Sequence, residues 1–168
     1  AMAAIEIKNG NTQSAQDYYV RVLNLNPQDA YARVGLLQTL QTENPISMEQ
    51  ELKQLLGRYE TIAPLHFVLG NHYAENGRWQ EAQAAYFQAF YQATRNTHVP
   101  VGPDSAFNLA VSLERLRQPA AALPYYQQAA QLSQTASPGF DPELLQSRLS
   151  YLEQNLPWAY RMNQKHLL

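Results

Sequence analysis

The chain contains no cysteine. That removes a disulfide framework, a thiol nucleophile and zinc-finger spacing, and it is compatible with cytoplasm or periplasm alike. Charge is sparse as well: Asp, Glu, Lys and Arg make up 15% of 168 residues, against about 25% in soluble domains. The 12 Lys and Arg are outnumbered by 14 Asp and Glu, giving a net charge of −2. No basic stripe forms on one helix face, so the electrostatic footprint of phosphate recognition is missing and nucleic acid is not an expected partner. No run approaches the roughly 20 consecutive apolar residues that span a bilayer, so direct membrane insertion by this stretch is not expected. Long alternation of apolar and polar residues is also lacking, which leaves strands little support. There is no Gly-rich phosphate loop, nucleophile elbow or His-Glu-x-x-His motif. His66 and His72 stand six residues apart, on different faces of a helix, whereas a metal pair on one helix wants a spacing of about three or four. His98 and His166 have no recognisable partner. Catalysis, a cofactor and a metal are therefore not expected.

What the chain does have is a repeat. Leu69 to Leu109, Ala82 to Ala122, Tyr86 to Tyr126 and Ala89 to Ala129 are each 40 residues apart. A constant offset in the range of about 20–50 residues marks a stacked array, and such arrays build extended binding surfaces. Small residues (Gly70, Ala82, Ala89, Ala110, Ala122, Ala129) stand where two helices must approach closely. Large ones (Leu69, Tyr73, Tyr86, Leu109, Leu113, Tyr126) fill the space between. Gly77 is placed for a C-terminal cap between the helices of the first copy, and Pro119 for the first position of a helix in the second. The length points to one compact unit.

The residues Leu69-Gly70, Tyr73, Gly77, Trp79, Ala82, Tyr86 and Ala89 resemble the tetratricopeptide repeat, whose unit is about 34 residues. Leu109 to Ala129 carries the same pattern, with Arg117 where the inter-helix glycine is usual. The extra residues of the longer period are assigned to the loop from Arg95 to Pro103. A partial repeat is read over residues 5–27, with Gly10 at its turn, and a degenerate one over 30–62. In the latter, Tyr31 to Gln41 and Met48 to Tyr59 are the helices, and Ser47 with Gln50 forms a capping box. Strong repeats follow over 63–96 and 103–136. Asp141 and Pro142 start a capping helix over 141–155, and 156–168 form a tail. Because the first repeat begins at its second helix, the chain is expected to be part of a longer protein. The fold expected is all-α: a right-handed α-solenoid of helix pairs, eight or nine helices in all, closed by the C-terminal capping helix.

The resemblance implies a protein–protein interaction scaffold rather than an enzyme, holding an extended peptide in a concave groove lined by the first helix of each pair. Mapped on this sequence, the inward positions are Tyr31, Val34 and Gln38, then Phe67 and Asn71, then Phe107, Asn108, Val111 and Arg115. Aromatic rings offer apolar contact there, and amides can pair a peptide main chain as donor and acceptor. Phe67 and Phe107 have the alternative of packing between repeats. The carboxylate clamp of chaperone-binding members is matched only at Asn71 and Asn108: Phe67 and Asp104 stand where that clamp has lysines. The runs from Leu65 to Gln83 and from Phe107 to Leu113 are similar to bacterial repeat proteins of pilus biogenesis and secretion, the mannose-sensitive haemagglutinin type IV pilus among them. That resemblance implies a membrane-associated assembly machine as client. Self-association into a homo-oligomer, including a homodimer through the tail, is the alternative. The tail carries Trp158, Tyr160, Met162, Leu167 and Leu168 and is expected either to complete the cap or to enter a neighbouring molecule.

Overall fold

The computed structural model describes residues 2–40, 44–156 and 158, with side chains from residue 10 onward. Among the described residues there are eight helices and no strand: α1 (Met2–Leu25), α2 (Ala30–Thr39), α3 (Pro45–Arg58), α4 (Ala63–Glu75), α5 (Trp79–Arg95), α6 (Asp104–Arg115), α7 (Pro119–Leu132) and α8 (Pro142–Asn155). The fold is all-α and built from successive helix pairs, as in an α-solenoid. Length alone pointed to one compact unit, but the contacts form two, one reaching to His66 and the other beginning at Phe67. In a repeat array each element touches only its neighbours, so compactness is a property of short stretches rather than of the whole chain.

In the first unit α1 packs on α2, and Val20 and Leu23 of α1, Ala32 and Leu36 of α2 and the adjoining Leu40 are all buried. Asp29 caps α2, its carboxylate accepting the Ala32 N–H at 2.8 Å. Two expectations are corrected here. Gly10 is not a turn: α1 runs straight through it, since a lone glycine costs only about 1 kcal/mol in a helix interior. Ser47 is not the cap of α3. Asn44 takes that place, accepting the Ile46 N–H at 3.0 Å, with Pro45 at the first helical position. An Asn-Pro pair supplies both a cap acceptor and a pre-set φ, and so outcompetes a serine two residues later.

The second unit carries the repeat. α5 buries Ala82, Ala85, Tyr86 and Ala89, and α7 buries Ala122, Leu123, Tyr126 and Ala129. Tyr86 lies over Gly70: a Cβ placed there would stand 2.6 Å from the ring. Hence the glycine at this position, where one more carbon has no room. One period on, Ala110 occupies the same register and is fully buried. In the first unit Gly35 meets the Tyr19 ring in the same way.

The two inter-helix turns are built identically. Arg78 N–H bonds Tyr73 O at 2.9 Å and Gly77 N–H bonds Ala74 O at 3.0 Å; Gln118 N–H bonds Leu113 O and Arg117 N–H bonds Glu114 O, both at 2.9 Å. This paired closure needs a left-handed residue at its apex. Gly77 supplies it at φ 71°, and Arg117 at φ 60°. Beyond α7, the Asp104 carboxylate at the start of α6 accepts the Gly139 N–H at 2.7 Å, and Phe140 stacks on Phe107 with centroids 3.9 Å apart. These contacts hold the α7–α8 loop against α6. α8, capped by Asp141, then buries Leu145 and Leu152. The expected tail falls outside the described residues, apart from Leu156 and Trp158.

A left-handed conformation costs a residue with a Cβ about 1–2 kcal/mol, partly offset in glycine by its larger entropy loss on folding. Arg117→Gly is therefore expected to stabilise the protein by about 0.5–1 kcal/mol. The denaturant midpoint should rise at unchanged m; an unchanged or lower midpoint would show that Arg117 gains from its side chain what it loses in its backbone.

Candidate partner-binding surfaces

In the first unit, α2 presents Tyr31, Val34 and Gln38 at spacings of three and four, which share one helix face. None is covered: Tyr31 is 73% exposed and Val34 54%, Gln38 is exposed, and Leu37 beside them is 38% exposed. The Tyr31 ring meets Tyr19 edge-on at 6.0 Å, and Tyr19 meets Tyr18 at 5.6 Å. Tyr18 is 58% exposed. The stripe read from sequence thus continues onto α1 as an aromatic patch that the repeat pattern did not reveal, because Tyr18 lies outside the register of interior positions.

In the second unit the sequence-derived residues divide by what they already touch. Phe107 is 4% exposed, enclosed by Phe140 and by the Tyr126 ring at 5.7 Å. Phe67 is half-buried beside Tyr86, with ring centroids 5.7 Å apart. Asn71 accepts a hydrogen bond from the Tyr86 hydroxyl at 2.7 Å, so its amide oxygen is engaged in the fold. Asn108 is half-buried, and its side-chain amide makes no hydrogen bond among the described residues. Val111 is half-buried, and the exposed Arg115 holds its guanidinium 5.1 Å above the Trp79 ring. Asp104 is buried in its contact with Gly139.

A comparison of the two copies explains the open amide. Tyr126 donates its hydroxyl to Glu114 Oε1 at 2.5 Å, and Arg148 of α8 grips the same carboxylate with Nε at 2.9 Å and with Nη2. Burial above all, and then Glu114, raises the Tyr126 phenol above its ordinary value; the bond to Glu114 raises Arg148. One period earlier Ala74 stands in place of Glu114 and Asn108 in place of Arg148. Tyr86 therefore turns its hydroxyl to Asn71, on the residue after Gly70, and burial raises its phenol too. Asn108, in the register of Arg148, thus has no carboxylate at the position equivalent to Glu114.

Other surface features lay beyond the repeat reading. On α5, Phe87 and Tyr91 stack at 6.3 Å, and Arg95 donates to the Tyr91 hydroxyl at 2.7 Å. On α8, Leu144 and Tyr151 are about half exposed, at 48% and 51%. The spacings of four and of seven in these sequences were visible, but nothing in the pattern said which side would be left open. His66 shares a hydrogen bond with Glu60 O at 2.6 Å, and His72 is buried against Tyr73. Among the described residues no group of side chains is arranged to hold a metal ion, and no helix is long and apolar enough to cross a membrane.

A family model for the tetratricopeptide repeat matches residues 52–135. The chain belongs to the tetratricopeptide repeat family. These repeats generally mediate protein–protein interaction, and the family is typically a non-catalytic scaffold. No curated protein matches the chain.

The two asparagines should separate in a stability measurement. Asn71→Ala strands the buried Tyr86 hydroxyl and is expected to cost about 1 kcal/mol. Asn108→Ala breaks no bond within the protein and should stay within about 0.5 kcal/mol of the parent. Equal losses in urea midpoint for the two variants would contradict this division.

Proposed function

We propose that this protein is an interaction scaffold that holds extended segments of a partner polypeptide on the first-helix faces of its two units. The observation that carries the reading is Asn108. Its amide makes no bond among the described residues and its polar atoms reach solvent, so its donor and acceptor are free to match a peptide main chain. Val111 beside it offers apolar contact. Arg115, pre-positioned on Trp79, offers charge to an acidic side chain or a terminal carboxylate. On α2, Tyr31, Val34 and Gln38 form a similar mixture of ring, aliphatic and amide groups. Phe67 lies at the edge of the second face. Phe107 acts through packing, and Asn71 retains its N–H groups for a partner.

The resemblance of Leu65 to Gln83 to pilus and secretion proteins makes components of such machines the client class to test first, on either side of the membrane they occupy. Peptides tiled across those components would be screened for binding, and the best binder titrated against Asn108→Ala with Arg115→Ala. The double variant is expected to bind about tenfold or more weakly, at an unchanged thermal midpoint. A binder that holds the variant as tightly as the parent would refute the second face as the site.

Self-association is the second reading, favoured by the exposed rings and aliphatics of α2 and α8. Exposed apolar side chains on each of these helices offer surface to a partner. Sedimentation at high protein concentration separates the two: a monomer removes the oligomer reading, and a dimer lost on Tyr31→Ser with Val34→Ser establishes it.

A further inference from the structure

A polar cleft of about 290 Å³ lies in the first unit between α1 and α3, with Thr39 of α2 on its wall. Thr12, Gln13 and Gln16 line it from α1; Glu51, Gln54, Leu55 and Arg58 line it from α3. The α3 set is spaced by three and four residues, which places it on one helix face. Among the described residues that line the cleft the one guanidinium, Arg58, is already balanced. Arg58 Nη2 donates to Asp17 Oδ1 at 3.3 Å, and the Tyr59 hydroxyl donates to the same oxygen at 2.8 Å. The nearby Lys53 pairs with Glu49 at 3.0 Å. Glu51 is what remains. It is half-buried and has neither ion pair nor hydrogen bond among the described residues. Burial pushes its carboxyl above the ordinary value.

A carboxylate partly shielded from water, with no counter-charge among the described residues, favours a cation beside it, so the open chemistry of this cleft is acceptance of a cation. The three glutamines around it carry both donors and acceptors, the complement of a peptide unit. The volume sits at the lower edge of the roughly 300–1,000 Å³ typical of ligand pockets. That is room for one long side chain and the main chain that bears it, not for a cofactor.

We infer that this cleft binds a lysine or arginine side chain of a partner polypeptide, with Glu51 as counter-ion and Gln13, Gln16 and Gln54 pairing with the adjoining main chain. The site uses no residue of the α2 stripe or of the α6 face. It therefore goes beyond the surfaces proposed above, and it can fail while they stand.

The test is a nuclear magnetic resonance titration of the whole 168-residue chain, following the side-chain amide signals of Gln13, Gln16 and Gln54. The probes are acetyl-Ala-Lys-Ala-amide, acetyl-Ala-Gln-Ala-amide and n-butylammonium. The lysine peptide is expected to shift those signals. The glutamine peptide and the free amine should bind about tenfold more weakly or worse. Glu51→Gln, which keeps size and shape, should weaken the lysine peptide by about the same factor. Glu49→Gln, at a carboxylate already paired with Lys53, should leave its binding unchanged. Equal binding of the lysine and glutamine peptides, insensitivity to Glu51→Gln, or no shift with any probe would overturn the site. Butylammonium binding as tightly as the lysine peptide would overturn the polypeptide partner, because the glutamines would then contribute nothing.

Discussion

A tyrosine of α5 lies across a glycine of α4, and the rest of the second unit is arranged around that contact. Tyr86 rests on Gly70 with no room for a Cβ between them, and Tyr126, one period on, holds the equivalent register, against Phe107 and bonded to Glu114. The small residue sets how closely the two helices approach. The ring fills the gap that such an approach would otherwise leave between backbones of unequal cover. The alanines at 82, 85 and 89, and at 122 and 129, are buried as a consequence, since larger residues there would push the pair apart.

That contact also decides which polar groups remain for a partner. A buried phenol must find an acceptor. Tyr86 reaches Asn71, whereas Tyr126 reaches Glu114, a turn further on in its own copy. The second arrangement draws in Arg148 and ties α8 to the array. The first leaves Asn108, at the position corresponding to Arg148, with its amide open. The difference between the closed network and the open amide follows the residues at 74 and 114, 71 and 111, and 108 and 148. The surface that the proposed function relies on is set from inside the helix pair.

Much of this is legible in the sequence. The constant offset between Leu69 and Leu109, and between Tyr86 and Tyr126, identifies interior positions because only a repeated packing geometry repeats residue size at fixed intervals. Helix starts at Pro119 and Asp141-Pro142 could be read because each carries its own cap chemistry, whereas the Asp29 cap of α2 emerged only in the structure. The turn at Arg117 could be read only by register, since arginine has no preference for a left-handed backbone. Gly10 misled because one glycine weakens a helix without breaking it. The site was less legible than the fold. Phe107 reads as a groove position by register, but its cover, Phe140, comes from a loop outside the repeat. Asn71 and Asn108 stand at different repeat positions, in register with Val111 and Val68 respectively, but that Asn71 is engaged by the Tyr86 hydroxyl is seen only in the structure. Glu51 carries no motif at all: its isolation follows from which of Asp17, Arg58, Glu49 and Lys53 pair with one another.

The central claim, that the ring over the small residue governs the helix pair, is tested most directly by a thermodynamic cycle between Gly70→Ala and Tyr86→Ala. In an unobstructed helix interior, glycine to alanine stabilises by about 1 kcal/mol. Beneath Tyr86 it should instead destabilise, by about 1–3 kcal/mol through overpacking. The account predicts that Gly70→Ala changes sign with the background: unfavourable in the parent, neutral or favourable once Tyr86 is truncated. Urea unfolding of the four proteins measures this. Effects that add to within about 0.5 kcal/mol would mean that Gly70 and Tyr86 act independently, and would contradict the account.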